Sequence, residues 1–311
     1  MQNYFNLLPE KGDTAIALGY FDGLHAGHRK VISKAVDEKK NGLIAVCFTF
    51  TQSPKEFLTK KPSNALMTPQ DKIKELEKLG IDHTFQADFA DIVNVKAEDF
   101  ISEILIKRLR AKKLFCGFNY HFGKGGTADA AELKSLCEKQ GVEVNVLSPE
   151  KDESGNVISS TLIRSLISDG NIKRANKYLC SLFGFCGVIE HGKRLGRELG
   201  TPTINQPLFP KLAVPKFGVY ASVVTLENGQ KYCGVTNVGI KPTVGGTTPL
   251  WETWMPEYYG GEIYGQSADV RLLEFIRPEK KFENLDTLKN TIVDNGKTAL
   301  KIFADFKACK Y

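Results

Sequence analysis

The 311-residue sequence lacks the features that would place it in several specialised classes. It contains no CxxC pair, and its seven cysteines are scattered without metal-ligand spacing, which argues against a zinc site and favours reduced thiols. It has no run of 18 apolar residues, and the N-terminus has no basic segment followed by an apolar one. We therefore expect neither membrane insertion nor secretion, and we predict a cytoplasmic protein.

Dense tracts of one charge are also missing. The formal net charge is +6, and 42% hydrophobic and 25% charged residues are ordinary for a globular protein. A mild positive excess fits small anionic substrates such as nucleotides, whereas no lysine or arginine run is dense enough for a nucleic-acid tract. We expect no nucleic-acid and no membrane partner, and the sequence leaves the oligomeric state unknown.

The chain changes its pattern once along its length. Up to residue 182, apolar strand-like runs alternate with amphipathic helical ones, beginning with "TAIALGYF" and "HRKVISKAVDEKK". This alternation predicts an α/β domain with a doubly wound parallel sheet, whose ligands bind at the carboxyl ends of the strands. From residue 183, short β-type runs separated by Gly, Pro and Asn predict a small antiparallel β-barrel followed by a C-terminal helix. We therefore predict two domains, residues 1–182 and 183–311.

Two of only five histidines, His25 and His28, lie where the first predicted strand passes into the first helix. A helix N-terminus offers free N–H groups and the positive end of the helix dipole, which suit an anion. Imidazoles at this place can donate further hydrogen bonds to a phosphate and stabilise charge that builds up on it during displacement. The alternative is a glycine-rich turn with two solvated histidines.

Two later segments of the first domain fit the same task. In "ISSTLIRSLI", the hydroxyls of Ser159, Ser160 and Thr161 could simply cap a helix, but Arg164 near that helix start favours a bound anion. In "GFNYHFGKGG", the glycines allow a ligand to approach the backbone, and Asn119 can donate to and accept from a base or ring edge.

Together these segments resemble the nucleotidyltransferase superfamily, which is marked by an HxGH turn and a later S/T-x-x-R segment. More closely, they resemble the FMN adenylyltransferase module of bacterial bifunctional FAD synthetases. This resemblance implies that His25 and His28 are catalytic and hold the α-phosphate of ATP. The further substrate-binding residues that it implies are Gly19, Phe21, Asp22, Gly23, Gly117, Asn119, Gly123, Lys124, Ser159, Ser160, Thr161 and Arg164.

The second domain carries a longer series of motifs. On an extended segment, the side-chain oxygens of Thr203 and Asn205 point the same way and can reach one Mg²⁺ or phosphate. The segments "LGTPTIN", "TNVGIKPTVGG", "WETW", "YYGGEIYG" and "IRPEKKF" resemble, in order, those of riboflavin kinases. That resemblance implies a catalytic base, Glu252, and Mg²⁺ held by Thr203 and Asn205 together with ATP. The remaining binding residues that it implies are Gly192, Arg197, Gly200, Pro202 and Arg277.

The sequence therefore predicts an enzyme that phosphorylates riboflavin to FMN and adenylylates FMN to FAD, with riboflavin, FMN and ATP as substrates. Four departures from the family patterns are Gln52 for a proline, Ser53 for a histidine, Ile204 for an alanine and Trp254 for a histidine. Because of Ser53, a riboflavin kinase with a weak or inactive adenylyltransferase domain is an alternative. A flavin-binding protein without catalytic activity is another.

Overall fold

A computed structural model describes residues 12–62, 64–192, 200–243 and 246–308. They form two compact units. The first contains the described residues up to Ser160 except Asn64–Thr68, and the second contains Asn64–Thr68 and the residues from Thr161 onward. This is a division by packing, and the boundary between activities at residue 182 stays a prediction.

A five-stranded parallel sheet forms the centre of the first unit, in the order β3-β2-β1-β4-β7. A short antiparallel hairpin, β5 and β6, follows β4. The strands are β1 (Thr14–Leu18), β2 (Ile44–Phe50), β3 (His83–Ala87), β4 (Ala111–Gly117), β5 (His121–Phe122), β6 (Ala128–Asp129) and β7 (Glu143–Leu147).

Helices connect these strands. They are α1 (Ala26–Asp37), α2 (Pro54–Thr59), α3 (Pro69–Lys78), α4 (Phe89–Ile92), α5 (Ala97–Asp99), a π-helix (Phe100–Arg108) and α6 (Ala130–Glu138). Two further helices, α7 (Ser160–Ser168) and α8 (Ile172–Leu179), come after β7 and belong, from Thr161 onward, to the second unit. Single 3₁₀ turns cover Glu38–Asn41 and Lys124–Gly126. The wider turn of the π-helix is visible where the Leu109 N–H donates to the Ile104 carbonyl, five residues back, at 3.0 Å.

Both faces of the parallel sheet are buried, which confirms the doubly wound prediction. Ile16 and Leu18 face a core that also contains residues of the π-helix and α6. Ala15 and Ala17 point to the opposite face and are fully buried, and α1 packs on β1, β2 and β4. Because the strand order reverses between β1 and β4, the loops after these two strands meet at the point where such sheets bind ligands.

A six-stranded antiparallel sheet in the order β8-β13-β10-β11-β12-β9 forms the second unit, and one long helix, α9 (Leu285–Ala308), follows it. The strands are β8 (Gly184–Val188), β9 (Thr203–Pro207), β10 (Gly218–Leu226), β11 (Lys231–Thr243), β12 (Gly246–Trp254) and β13 (Ser267–Arg277). The Glu190 N–H donates to the Asn205 carbonyl at 2.8 Å, and Gln206 Nε2 donates to the Gly187 carbonyl at 2.7 Å. These bonds join the two edges of the sheet, as the predicted barrel requires.

The two faces of this sheet have different neighbours. On the inner face, a row of buried hydroxyls joins Ser222 to Thr236 at 2.7 Å and Thr236 to Thr253 at 2.9 Å. On the outer face, Ala221 packs in one core with Phe303 of α9. Since side chains alternate along a strand, Glu252 and Trp254, on either side of Thr253, point to the outer face.

We predict that Gly184→Ala destabilises the second unit. Gly184 has φ +156°, and an added Cβ would collide with the Val270 carbonyl oxygen and lie 2.9 Å from the Cα of Arg271. We expect the free energy of unfolding to fall by about 3 kcal/mol. Both tryptophans of the chain, Trp251 and Trp254, lie in this unit, so tryptophan fluorescence during urea unfolding reports on it selectively.

Gly261→Ala is the matched control, because an added Cβ at residue 261 meets no atom within 4 Å. Equal unfolding midpoints for the two variants would contradict the prediction.

Candidate active sites

The turn between β1 and α1 has an unusual backbone. Phe21 and Leu24 have positive φ angles of 56° and 44°, which side chains other than glycine adopt only at a cost, and Gly23 lies between them at 82°. His25 is the N-cap residue of α1, and the first turn of that helix contains no acidic side chain. No carboxylate in the first turn of α1 therefore offsets the positive end of the helix dipole. The free N–H groups at this helix start suit an anion.

His25 and His28 lie together at this helix start. Their rings stack with centroids 3.6 Å apart and an interplanar angle of 23°, and the Phe21 ring meets His28 edge-on at 5.4 Å. Gly27 leaves room for this pair, since an added Cβ would lie 3.3 Å from Cε1 of His25. The structure thus brings the two predicted histidines to one place.

Burial keeps both imidazoles neutral at pH 7. It lowers the pKa of His25 to about 4 and the pKa of His28 well below its usual value, with smaller lowering effects on His28 from His25 and Lys72. The Nδ1 atoms of both rings are buried without a hydrogen-bond partner in the described part of the chain. A neutral imidazole still has one N–H to donate.

The loop after β4 starts beside this turn. Leu18 and Cys116 are paired in the β1–β4 register, so Gly19 and Gly117 follow directly at the same edge of the sheet. Asn119 and Lys124, further along this loop, are exposed. Two of the three motifs of the first domain thus begin side by side.

The third motif reaches the turn through a serine. Ser160 Oγ donates to the carbonyl oxygen of Asp22 at 3.1 Å, and Ser159 is partly buried just before it. Thr161 and Arg164 belong to the second unit, where the Arg164 Nε donates to the Asn64 carbonyl at 2.6 Å. A role of Arg164 in ATP binding stays a prediction.

Glycine at residue 123 is also required by the backbone. Gly123 has φ +75°, and an added Cβ would lie 3.2 Å from the Cβ of Ala97.

Ser53, one of the residues that depart from the family pattern, has a local structural role. It is buried, and its Oγ accepts the Glu56 N–H at 3.3 Å as the N-cap of α2. The side chain that replaces the family's histidine is therefore used within its own helix.

In the second unit, the predicted kinase residues lie on neighbouring strands. Glu252 on β12 is directly opposite Asn205 on β9 and opposite Asn237 on β11, and Trp254 is opposite Thr203. Directly opposite residues of an antiparallel pair have Cβ atoms roughly 4.5–5.5 Å apart. Thr203, Asn205 and Glu252 therefore form one polar group on the outer face of the sheet.

Asn205 is suited to bind a ligand with its side chain. It is 4% exposed, and its Oδ1 has no hydrogen-bond partner in the described residues. Gly192 packs directly on this amide, since an added Cβ would lie 2.9 Å from the Asn205 Cγ. Amide and hydroxyl oxygens are the type of ligand that Mg²⁺ prefers, so Thr203 and Asn205 fit this ion.

A pocket of about 360 Å³ opens beside these residues. It lies between the start of β9 and the loop after β12, and its lining residues are Pro202, Thr203, Ile204, Met255, Tyr258, Gly260, Gly261, Glu262, Ile263 and Tyr264. Gly200, with φ +74°, precedes this strand, and predicted Arg197 lies outside the described residues.

Arg277 and Trp254 connect the outer face to α9. Arg277 is paired with Val219 in the sheet, and its Nε donates to Oδ1 of buried Asn295 at 3.3 Å. The Trp254 indole lies against Gly296, where an added Cβ would be 2.8 Å from the ring. A tryptophan fits at residue 254 because residue 296 has no side chain.

Sequence reasoning missed three residues of these sites: Lys72, Asn237 and Asn295. Lys72 is buried behind the β1–α1 turn, and it falls on the apolar stripe of α3 that continues with Leu76. A lysine on the apolar face of an amphipathic helix is unusual, and this position could have indicated a buried lysine from the sequence alone. Asn237 belongs to the segment "TNVGIKPTVGG", but its position opposite Glu252 depends on strand register.

Other classes of site leave no trace in the described ranges. No group of three or more His, Cys, Asp or Glu side chains there could hold a metal ion. None of the helices among these residues is both long and apolar enough to cross a membrane.

Each unit thus carries one polar group suited to a phosphate or its metal ion, an arrangement that fits a phosphate-transferring enzyme. A family model described as FAD synthetase matches residues 8–162, and one described as riboflavin kinase matches residues 179–303. The chain belongs to the family of bifunctional riboflavin kinase/FMN adenylyltransferases.

Curated relatives cover nearly the whole chain. The bifunctional riboflavin kinase/FMN adenylyltransferase of Escherichia coli K12 is 34% identical over 302 residues, which are 95% of this chain and 94% of that protein. The Bacillus subtilis 168 protein of the same name is 31% identical over 306 residues, 96% and 95% of the two chains.

A solved structure from Streptococcus pneumoniae has the same fold. It is 31% identical, has a TM-score of 0.86, and the match covers 96% of this chain and 97% of that one. That protein is named a macrolide-efflux protein. A shared fold does not choose between activities, whereas both family models and the curated relatives name flavin reactions.

We predict that protonation of His25 makes the first unit less stable in acid. The folded-state pKa of about 4 lies below the ordinary 6.5, so between these values the unfolded chain binds the proton and the folded chain does not. The contribution of neutral His25 to the free energy of unfolding is thus fully present above the ordinary pKa and is lost as pH falls through the folded-state pKa. Between pH 7 and 5 this group alone should lower the free energy of unfolding by about 2 kcal/mol.

The measurement is urea unfolding followed by circular dichroism at both pH values, since the tryptophans report only on the second unit. His25→Asn is the control variant. Protonation of carboxylates also destabilises the protein in acid, but this effect is common to the wild type and the variant. If the wild type and His25→Asn lose stability in parallel, the pKa of His25 is not lowered by burial.

Proposed function

We propose that this chain converts riboflavin to FMN and then FMN to FAD, with one ATP used in each reaction. We assign adenylylation of FMN to residues 1–182 and phosphorylation of riboflavin to residues 183–311. The observation that carries this proposal is the presence of two separate phosphate-handling groups, the stacked His25–His28 pair and the cluster of Glu252 with Asn205. A cytoplasmic location remains a prediction.

In adenylyl transfer, a phosphate oxygen of FMN attacks the α-phosphorus of ATP. The bond from that phosphorus to the bridging oxygen breaks, and pyrophosphate leaves. No general base is needed because the attacking phosphate is already ionised. His25, His28 and the N-terminus of α1 donate hydrogen bonds to the α-phosphate, and these bonds strengthen as negative charge builds up in the transition state.

In the kinase reaction, a general base is needed because the primary hydroxyl of riboflavin is a poor nucleophile. The Glu252 carboxylate takes the hydroxyl proton while the oxygen bonds to the γ-phosphorus of ATP, and ADP leaves. Thr203 and Asn205 would hold Mg²⁺, which offsets charge on the transferred phosphoryl group when bound. The pocket beside Thr203, about 360 Å³, is large enough to hold part of that ATP.

A direct assay tests the proposal. Purified protein incubated with riboflavin and MgATP should form FMN first and FAD afterwards, together with ADP and pyrophosphate, as followed by chromatography. Absence of FMN would contradict the kinase assignment. FMN without FAD would support the second candidate, a riboflavin kinase with an inactive adenylyltransferase domain, which the use of Ser53 as a helix cap favours. Bound flavin without ATP consumption would indicate a binding protein.

Single substitutions should separate the two reactions. We expect Glu252→Gln to lower FMN formation about 100-fold or more, because the base is lost, and to leave adenylylation of supplied FMN unchanged. We expect His28→Asn to lower FAD formation about 100-fold and to leave FMN formation unchanged. The two rates are measured separately for each variant.

Circular dichroism of each variant serves as the folding control. If a folded variant loses both activities to the same extent, the proposed division between the two sites is wrong.

A further inference from the structure

Lys72 of α3 is a buried cation directly behind the β1–α1 turn. Lys72 is only 6% exposed, and its Nζ donates to the Tyr20 carbonyl at 3.0 Å and to Thr49 Oγ1 at 3.2 Å. Thr49 Oγ1 also donates to the same carbonyl at 2.8 Å. Both acceptors of the ammonium are neutral oxygens of the protein, and hydrogen bonds from a charged donor are about twice as strong as neutral ones.

The same helix holds the other end of this turn. Glu75, one turn after Lys72, binds Nη2 of Arg29 at 3.3 Å, and Arg29 Nε donates to the Leu24 carbonyl at 2.9 Å. The turn between Tyr20 and Leu24 is therefore fixed at both ends from α3. A segment with two positive φ angles outside glycine keeps its conformation only if its surroundings hold it.

The charge of Lys72 also acts on the histidine site. Burial lowers the pKa of His28 most, and His25 and the charge of Lys72 lower it further. Burial also lowers the pKa of Lys72, while Cys47 of β2 and Asp22 of the turn act in the opposite direction and favour its charged form. Lys72 is thus linked to the turn through the Tyr20 carbonyl and to His28 through its charge.

We propose that Lys72 is a positioning residue for adenylyl transfer, which holds the β1–α1 turn by a charged hydrogen bond and places a positive charge behind His28. Loss of this residue lets the turn and the stacked imidazoles shift relative to the α-phosphate. A shift of this kind affects the transition state more than substrate binding. The inference depends on the proposed role of His28.

The test compares four forms of the full chain: wild type, Lys72→Met, Lys72→Arg and Lys74→Met. Lys74 is exposed on the same helix, so Lys74→Met is the matched control. For Lys72→Met we expect kcat of FAD formation from supplied FMN to fall about 10- to 100-fold, with KM for ATP and FMN changed less than about threefold. Lys72→Arg keeps the charge and should recover at least part of this loss, and Lys74→Met should match the wild type.

A second readout separates this role from a merely structural one. Nuclear magnetic resonance titration of the imidazole protons, assigned with His28→Asn, should show a higher pKa for His28 in Lys72→Met than in the wild type, because the positive charge that lowers this pKa is gone. If Lys72→Met does not fold, Lys72→Gln takes its place, because it can donate to the Tyr20 carbonyl but has no charge.

The outcomes are distinct. If the wild type forms no FAD, the proposed function fails. If the wild type forms FAD, two results would each show that the inference about Lys72 is wrong. One is a folded Lys72→Met or Lys72→Gln variant that keeps the wild-type kcat, and the other is an unchanged His28 pKa in that variant.

Discussion

Burial of polar atoms that have no hydrogen-bond partner in the described residues is the constraint on which both sites depend. The Nδ1 atoms of His25 and His28 and the Oδ1 of Asn205 are in this state. Each such atom costs roughly 1–3 kcal/mol, so the surrounding fold has to stabilise the chain enough to allow it. Under the proposed function, a phosphate at the histidine pair and a cation at Asn205 would supply the missing partners, and part of their binding energy would come from that replacement.

The two units meet this constraint in different ways. In the first, the site is a turn at the carboxyl end of a parallel sheet, where the main chain itself adopts costly angles at Phe21 and Leu24 and neighbouring side chains hold it. In the second, the site is a row of side chains on regular strands, where the pairing of β9, β12 and β11 fixes Asn205, Glu252 and Asn237 without backbone strain. The first arrangement depends on tertiary contacts, and the second depends on register.

This difference explains what the sequence could predict. The alternation of apolar runs and the Gly, Pro and Asn residues between the later runs identified both fold classes, because these are local patterns. The motifs located most side chains of both sites. Asn237 lies in one of the riboflavin kinase-like segments, but only strand pairing places it opposite Glu252, and only the packing of α9 brings Asn295 to Arg277.

The contact between Trp254 and Gly296 limits which residue types these two positions can accept together. The indole occupies the space that any side chain at residue 296 would need, as an added Cβ would be 2.8 Å from the ring. A histidine at residue 254 is smaller and would leave room there for a methyl group or more. The residue types at positions 254 and 296 are therefore coupled, since a smaller side chain at residue 254 alone leaves a cavity and a side chain at residue 296 alone causes a clash.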